Sequence, residues 1–162
     1  NTNFSCREFD FTDFCNYISS QFNHYNLELV FKNDYVLGVS QIIIDFIEKI
    51  KLQNKYHLPL YAFNHRNGIL YIYDNTNFSW TQMTEKYLNI LIKEINKKLL
   101  SLFLIWKNNN ENQFIDDQFS EIYVLNMKKV IGNNFDNRNK DIMIKNNIYK
   151  NIKNPIKNLF EI

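Results

Sequence analysis

The side chains best suited to bind a transition metal or to act as soft nucleophiles are Cys6, Cys15, His24, His57 and His65. Structural zinc sites usually take their ligands from close pairs such as Cys-x-x-Cys or His-x-x-x-His. The sequence contains no such pair, and its three glycines form neither a GxGxxG nor a GxxxxGK motif, so we expect neither a metal site nor another cofactor. The spacing around Cys15 places it on the apolar face of a helix, where burial disfavours the thiolate that a catalytic cysteine needs.

Carboxylates offer a second chemistry, because many nucleases hold Mg²⁺ between an aspartate at a strand end and a Glu-x-Lys motif on the next strand. Asp74 ends a predicted strand, but no glutamate is followed two positions later by lysine. Asp116 and Asp117 stand at the start of a predicted helix, where carboxylates stabilise the N-terminus. We therefore assign no catalytic residue, and keep a small metal-dependent nuclease-like enzyme, with a site not visible as a linear motif, as the alternative function.

Charge is distributed unevenly along the chain. Residues 1–48 contain seven acidic and two basic residues, net −5, whereas residues 128–162 contain eight basic and three acidic residues, net +5. The candidate nucleic-acid contacts in this basic third are Lys140, Lys145, Lys150, Lys153 and Lys157. Such lysines bind phosphates without sequence preference. Docking on the acidic end of another copy and an ordinary solvated face are the alternatives.

The apolar spacing predicts the elements that position these residues. We expect a mostly helical α+β fold, with about five helices around a long central helix (about 81–106) and a small antiparallel β-hairpin (about 60–74). Asn67-Gly68 between two β-prone runs predicts the hairpin turn. The other helices are predicted over 12–22, 36–54, 117–131 and 139–152, and a strand over 26–32.

The long central helix carries apolar residues at spacings of 4-3-4-3-4, namely Leu88, Ile92, Ile95, Leu99, Leu102 and Trp106. This heptad rhythm keeps one face of a helix toward a partner. We interpret the face as part of the domain core, with a dimer seam as the alternative. The C-terminal half of the helix is expected to be buried nearly all round. Trp80 and Trp106 are expected to be substantially buried at its two ends, Trp106 under the hairpin or the first helix.

The composition is that of an ordinary globular protein, since 45% of the residues are hydrophobic and 22% are charged. The 162 residues have the length of one domain, and we expect one compact domain, alone or as a fragment of a longer chain. No apolar run is long enough to predict a membrane span. Abundant Asn, Ile, Lys, Phe and Tyr have A/T-rich codons and indicate an A/T-rich genome.

The order of several motifs resembles an uncharacterised domain of giant nucleocytoplasmic DNA virus (mimivirus-like) proteins. The matching features are Pro59 before a short strand, a strand ending at Asp74, Trp80 before the long helix, Trp106 closing it, and a later helix ending at Gly132. The resemblance covers roughly residues 36–150. That family often carries His-Cys after the proline, where this chain has Leu-Tyr-Ala-Phe.

Proteins with this domain often carry it next to a Cys/His finger or a KilA-N-like DNA-binding segment. The resemblance implies a viral origin and a location in the host cytoplasm (viral factory) or the virion. It implies no known activity and no site residues. We therefore expect a non-enzymatic interaction or assembly module of a viral, nucleic-acid-associated protein. Its expected partner is another protein or a second copy, with nucleic acid at the basic C-terminal third and no membrane.

Overall fold

The structure, a computed structural model, describes residues 9–53, 57–76, 78–132 and 137–154. Its elements are α1 (Phe11–Gln21), α2 (His24–Gln53), β1 (Leu60–Phe63), β2 (Leu70–Asp74), β3 (Ser79–Gln82), α3 (Glu85–Asn109), a 3-10 helix (Glu111–Ile115), α4 (Asp117–Ile131), α5 (Asn137–Ile152) and β4 (Lys153–Asn154). The described part of the chain is therefore mostly helical with a small sheet. The predicted α+β class is confirmed.

The sheet has the strand order β3-β2-β1-β4. The predicted hairpin is confirmed, because β1 and β2 pair antiparallel and Gly68 occupies the connecting turn with φ +73°. β3 adds a third antiparallel strand, and the two-residue β4 pairs parallel with β1, opposite Ala62 and Phe63. One face of the hairpin contributes buried Leu60, Ala62, Leu70 and Ile72 to the hydrophobic core.

The strand predicted over residues 26–32 is wrong, because this segment is the start of α2. Its N-terminus is capped by side chains: Asn23 Oδ1 accepts the N–H of Tyr25 at 3.0 Å, and Asn26 Oδ1 accepts the N–H of Asn23 at 2.8 Å. Leu27 and Val30, three residues apart, are buried. These caps satisfy donors that a helix leaves open at its N-terminus, and they favour helix over strand.

Helix α2 is broken at Asp34, whose φ of 71° and ψ of 177° are not helical. The Asp34 carboxylate accepts the N–H of Tyr35 at 2.8 Å, and the helix predicted over 36–54 follows as the second half of α2. The two halves, residues 24–33 and 35–53, fold back on each other. A Cβ atom at Gly38 would lie 2.7 Å from Val30 Cα, so only glycine permits this approach.

On α3, the predicted apolar face lies in the core of the chain. Leu88, Ile92, Ile95 and Leu99 are buried, and Leu102 and Trp106 are partly buried against the same core. The expectation that the C-terminal half is buried nearly all round is wrong, because Leu100, Leu104 and Ile105 are 46%, 56% and 54% exposed. The elements packed against α3 cover the apolar face and leave these side chains to solvent.

The two tryptophans are half-buried and lie elsewhere than predicted. The Trp106 ring packs at 5.2 Å from Phe31 in α2 and at 5.6 Å from Phe119 in α4, rather than under the hairpin or α1. Trp80 belongs to β3, where its ring lies 5.1 Å from Tyr61 on β1. Because β3 continues to Gln82, α3 begins at Glu85, four residues after the predicted start at 81.

Candidate interaction surface

Lys140 does not lie on a solvated face, as the nucleic-acid hypothesis requires, because it is only 8% exposed. Its Nζ donates to the carbonyl of Ile131 at 3.2 Å and lies 4.9 Å from the centre of the Tyr35 ring. Gly132 ends α4 in the left-handed conformation, with φ 66°. Lys140 thus supplies a cation to the C-terminal end of α4, where helix carbonyls lack partners.

The other candidate lysines within the described residues do not form one basic face. Lys145 is half-buried and Lys150 is exposed on α5, and five residues of helix separate their directions by about 140°. Lys153 is exposed on β4, with its Nζ 5.9 Å from the Tyr149 ring. Lys157 lies outside the described residues. Among the candidate lysines that the structure describes, the side chains are therefore not brought together as one phosphate-binding surface.

The residues considered for metal or thiol chemistry are also separated. Cys15 is buried in α1, and burial raises the pKa of its thiol to about 12, with smaller contributions from Glu94 and Asp10. His24, His57 and His65 are exposed, and Cys6 lies outside the described residues. Among the residues whose positions are described, no three His, Cys, Asp or Glu side chains form a group that could hold a metal ion.

The carboxylates considered as possible nuclease ligands, Asp74 and Asp116, accept hydrogen bonds from nearby groups of the chain. Asp74 accepts the N–H of Thr76 at 2.8 Å and the hydroxyl of Tyr87 at 3.2 Å, and its pKa is lowered mainly by the Thr76 backbone hydrogen bond. Asp116 caps α4 by accepting the N–H of Gln118 at 3.0 Å. These contacts hold the carboxylates at a turn and at a helix end.

A second heptad pattern lies on the solvent side of α3. Six exposed residues follow the 4-3-4-3-4 spacing, namely Lys86, Ile90, Lys93, Lys97, Leu100 and Leu104. We call this surface the outer face of α3. Ile90, Leu100 and Leu104 are 44%, 46% and 56% exposed. Sequence reasoning missed this face because lysines occupy half of its positions and because the C-terminal half of α3 was expected to be buried nearly all round.

A cleft of about 540 Å³ borders the N-terminal half of the outer face. Ile90 and Lys93 belong to both, and Lys140 and Asp141 line the opposite wall. Burial raises the pKa of Asp141, Lys140 lowers it, and Glu85 raises it further. The described walls therefore combine lysines with carboxylates, rather than presenting charges of one sign.

Helix α4 packs on the C-terminal half of α3 and carries exposed apolar side chains of its own. Tyr123 stacks on Phe103 with ring centres 5.6 Å apart, and Lys107 Nζ lies 5.6 Å from the same tyrosine ring. On α4, Val124 and Ile131 are 41% and 46% exposed. The solvent-facing apolar surface is thus not confined to α3.

No protein-family model, curated protein or solved structure matches this chain. The resemblance to the giant-virus domain, and the viral origin that it implies, therefore stay predictions. Across the described ranges, no helix combines the length and the apolar character needed to cross a membrane.

Proposed function

We propose that this domain is a non-enzymatic interaction module that binds an amphipathic helix along the outer face of α3. The observation that carries the proposal is the heptad spacing of six exposed residues from Lys86 to Leu104. A repeat of 3.5 residues is the geometry by which two helices remain in contact over several turns. At 1.5 Å per residue this face extends for about 27 Å.

The side chains of the outer face define the chemistry of the partner. Its three apolar residues favour an apolar stripe on the incoming helix. Its three lysines favour carboxylates beside that stripe and disfavour basic residues there. The expected partner is therefore an amphipathic helix whose flanks are acidic.

The two leucines supply most of the expected apolar contact. Leu100 and Leu104 are about half exposed, at 46% and 56%, so each has about half of its surface left to bury. Full burial of a leucine is worth about 1.5–3 kcal/mol, so the remaining half contributes about 1 kcal/mol for each residue. Losing both should weaken binding by about 2 kcal/mol, or roughly 30-fold in Kd.

Calorimetric titration with a synthetic helix tests this proposal. The probe is a peptide with leucines at heptad a and d positions and glutamates at e and g, and the comparison peptide has lysines in place of the glutamates. We expect the acidic peptide to bind and the basic one not to bind. Leu100→Ser with Leu104→Ser should weaken binding of the acidic peptide roughly 30-fold.

The matched control is Ile142→Ser with Met143→Ser, which removes two side chains, each 41% exposed, from α5. This control should bind the acidic peptide like the wild type. Equal binding of the acidic and basic peptides would contradict the proposed charge preference. Unchanged binding by the leucine variant, or absence of binding by the wild type, would contradict the proposed face.

We further propose, on the resemblance alone, that the module belongs to a viral protein associated with nucleic acid, in the viral factory or the virion. Gel-shift titration with duplex and single-stranded DNA at low salt tests direct contact. Substituting Lys145, Lys150, Lys153 and Lys157 by Gln should abolish the binding of DNA by the domain. Because these lysines do not form one described face, we expect any such binding to be weak and strongly salt-dependent.

A further inference from the structure

An open groove of about 550 Å³ lies between the two halves of α2. Its apolar lining includes Tyr25 and Leu29 from the first half and Phe46 and Leu52 from the second. Tyr25 is 65% exposed and Leu52 is 83% exposed, so much of this apolar surface faces solvent. We call it the α2 groove.

Three carboxylates and two lysines line the α2 groove. Glu28, Asp45 and Glu48 contribute the negative charges, and Lys32 and Lys49 contribute the positive ones. Lys51 Nζ, outside this lining, lies 3.6 Å from Glu48 Oε1. Lysines on an approaching apolar surface can therefore pair with Glu28 and Asp45.

The outer face of α3 has these complementary properties. It presents three lysines without a carboxylate among its six members, together with three exposed apolar side chains. Lys93, Lys97, Leu100 and Leu104 are consecutive members, spaced 4-3-4 along one side of the helix. Seating them in the groove would bury apolar side chains on both surfaces and bring lysines toward carboxylates.

We infer that the outer face of α3 in one copy docks in the α2 groove of a second copy of this chain. This inference rests on the proposed function and names the partner of the same face. The two surfaces are different, so the contact either occurs twice in a closed dimer or repeats from copy to copy in a longer assembly. Because one helix face is small as an interface, the association should depend strongly on concentration and salt.

Sedimentation velocity over a broad range of protein concentration tests the inference with charge reversals. The face variant is Lys93→Glu with Lys97→Glu, and the groove variant is Glu28→Lys with Glu48→Lys. We expect the wild type to show sedimentation coefficients that rise with concentration, and each variant alone to remain monomeric. An equimolar mixture should form heterodimers, since the reversed face of one variant meets the reversed groove of the other.

A variant that combines all four reversals should associate again, which an unfolded protein could not do. Lys150→Glu changes an exposed lysine that is neither a member of the outer face of α3 nor among the residues that line the α2 groove, and it should associate like the wild type. A monomeric wild type at every concentration, or a face or groove variant that associates like the wild type, would overturn the inference. In that case the acidic-peptide titration still decides separately whether α3 binds a helix, so the two failures are distinguishable.

Discussion

Replacement of Lys140 tests whether this lysine stabilises the fold or instead lies on a solvated face that contacts phosphates. In the structure its Nζ donates to the Ile131 carbonyl at 3.2 Å and lies 4.9 Å from the centre of the Tyr35 ring. A hydrogen bond from a charged group is worth about 1.5–3 kcal/mol, and a desolvated cation–π contact about 2 kcal/mol. Removing the buried charge relieves a desolvation cost that offsets part of this loss.

The net effect should therefore depend on how much of the side chain is kept. Lys140→Met retains most of the packing, and we expect it to lower the free energy of unfolding by about 1–2 kcal/mol. Lys140→Ala also leaves a space beside Tyr35 and should cost about 2–4 kcal/mol.

Equilibrium unfolding in urea measures both values, and Lys150→Met is the matched control. That exposed lysine should change stability by less than about 0.5 kcal/mol. If Lys140→Ala also changed stability by less than about 0.5 kcal/mol, the structural role argued for Lys140 would be refuted.

Three further predictions concern other parts of the fold. Trp106→Ala should cost about 2–3 kcal/mol in urea unfolding, less than a fully buried tryptophan, because its ring is half-buried; a loss below about 1 kcal/mol would contradict its packing role. In a Cys6→Ser variant, Cys15 should react with a thiol reagent only after unfolding, since it is buried with a pKa near 12; rapid reaction of the native protein would contradict this. Burial raises the pKa of Asp141 in the folded protein above its value in the unfolded chain. The ionised carboxylate therefore lowers the free energy of unfolding at pH values above the folded pKa, and this loss of stability disappears as the pH falls below the unfolded pKa. Asp141→Asn should therefore raise the free energy of unfolding in urea near neutral pH and leave it unchanged in acid. An equal effect at both pH values would contradict the raised pKa of Asp141.

Elements defined by local signals were predictable from the sequence. Helix α4 begins and ends where predicted, because Asp116 supplies a side-chain cap and Gly132 accepts the left-handed conformation that stops the helix. The hairpin also follows from local chemistry, since Gly68 provides the positive φ of its turn. The start of α2 was missed because the apolar residues of 26–32 partly alternate, whereas Leu27 and Val30 are the buried pair.

Features that depend on distant packing could not be predicted in this way. The fold-back of α2 requires the close approach of Gly38 and Val30 across the break at Asp34. Lys140 lies in the basic C-terminal third of the sequence, where a lysine is expected to be exposed. It is buried because it contacts the C-terminal end of α4 and the Tyr35 ring. The spacing of the outer face is present in the sequence, but only the structure shows which side of α3 faces solvent.

Amide chemical-shift mapping by NMR, during titration of the labelled domain with the acidic helical peptide, tests the central claim most directly. The account predicts saturable shift changes concentrated between Lys86 and Leu104 of α3. Changes centred on the exposed side of α5 or on the sheet, with the amides of α3 unaffected, would contradict it.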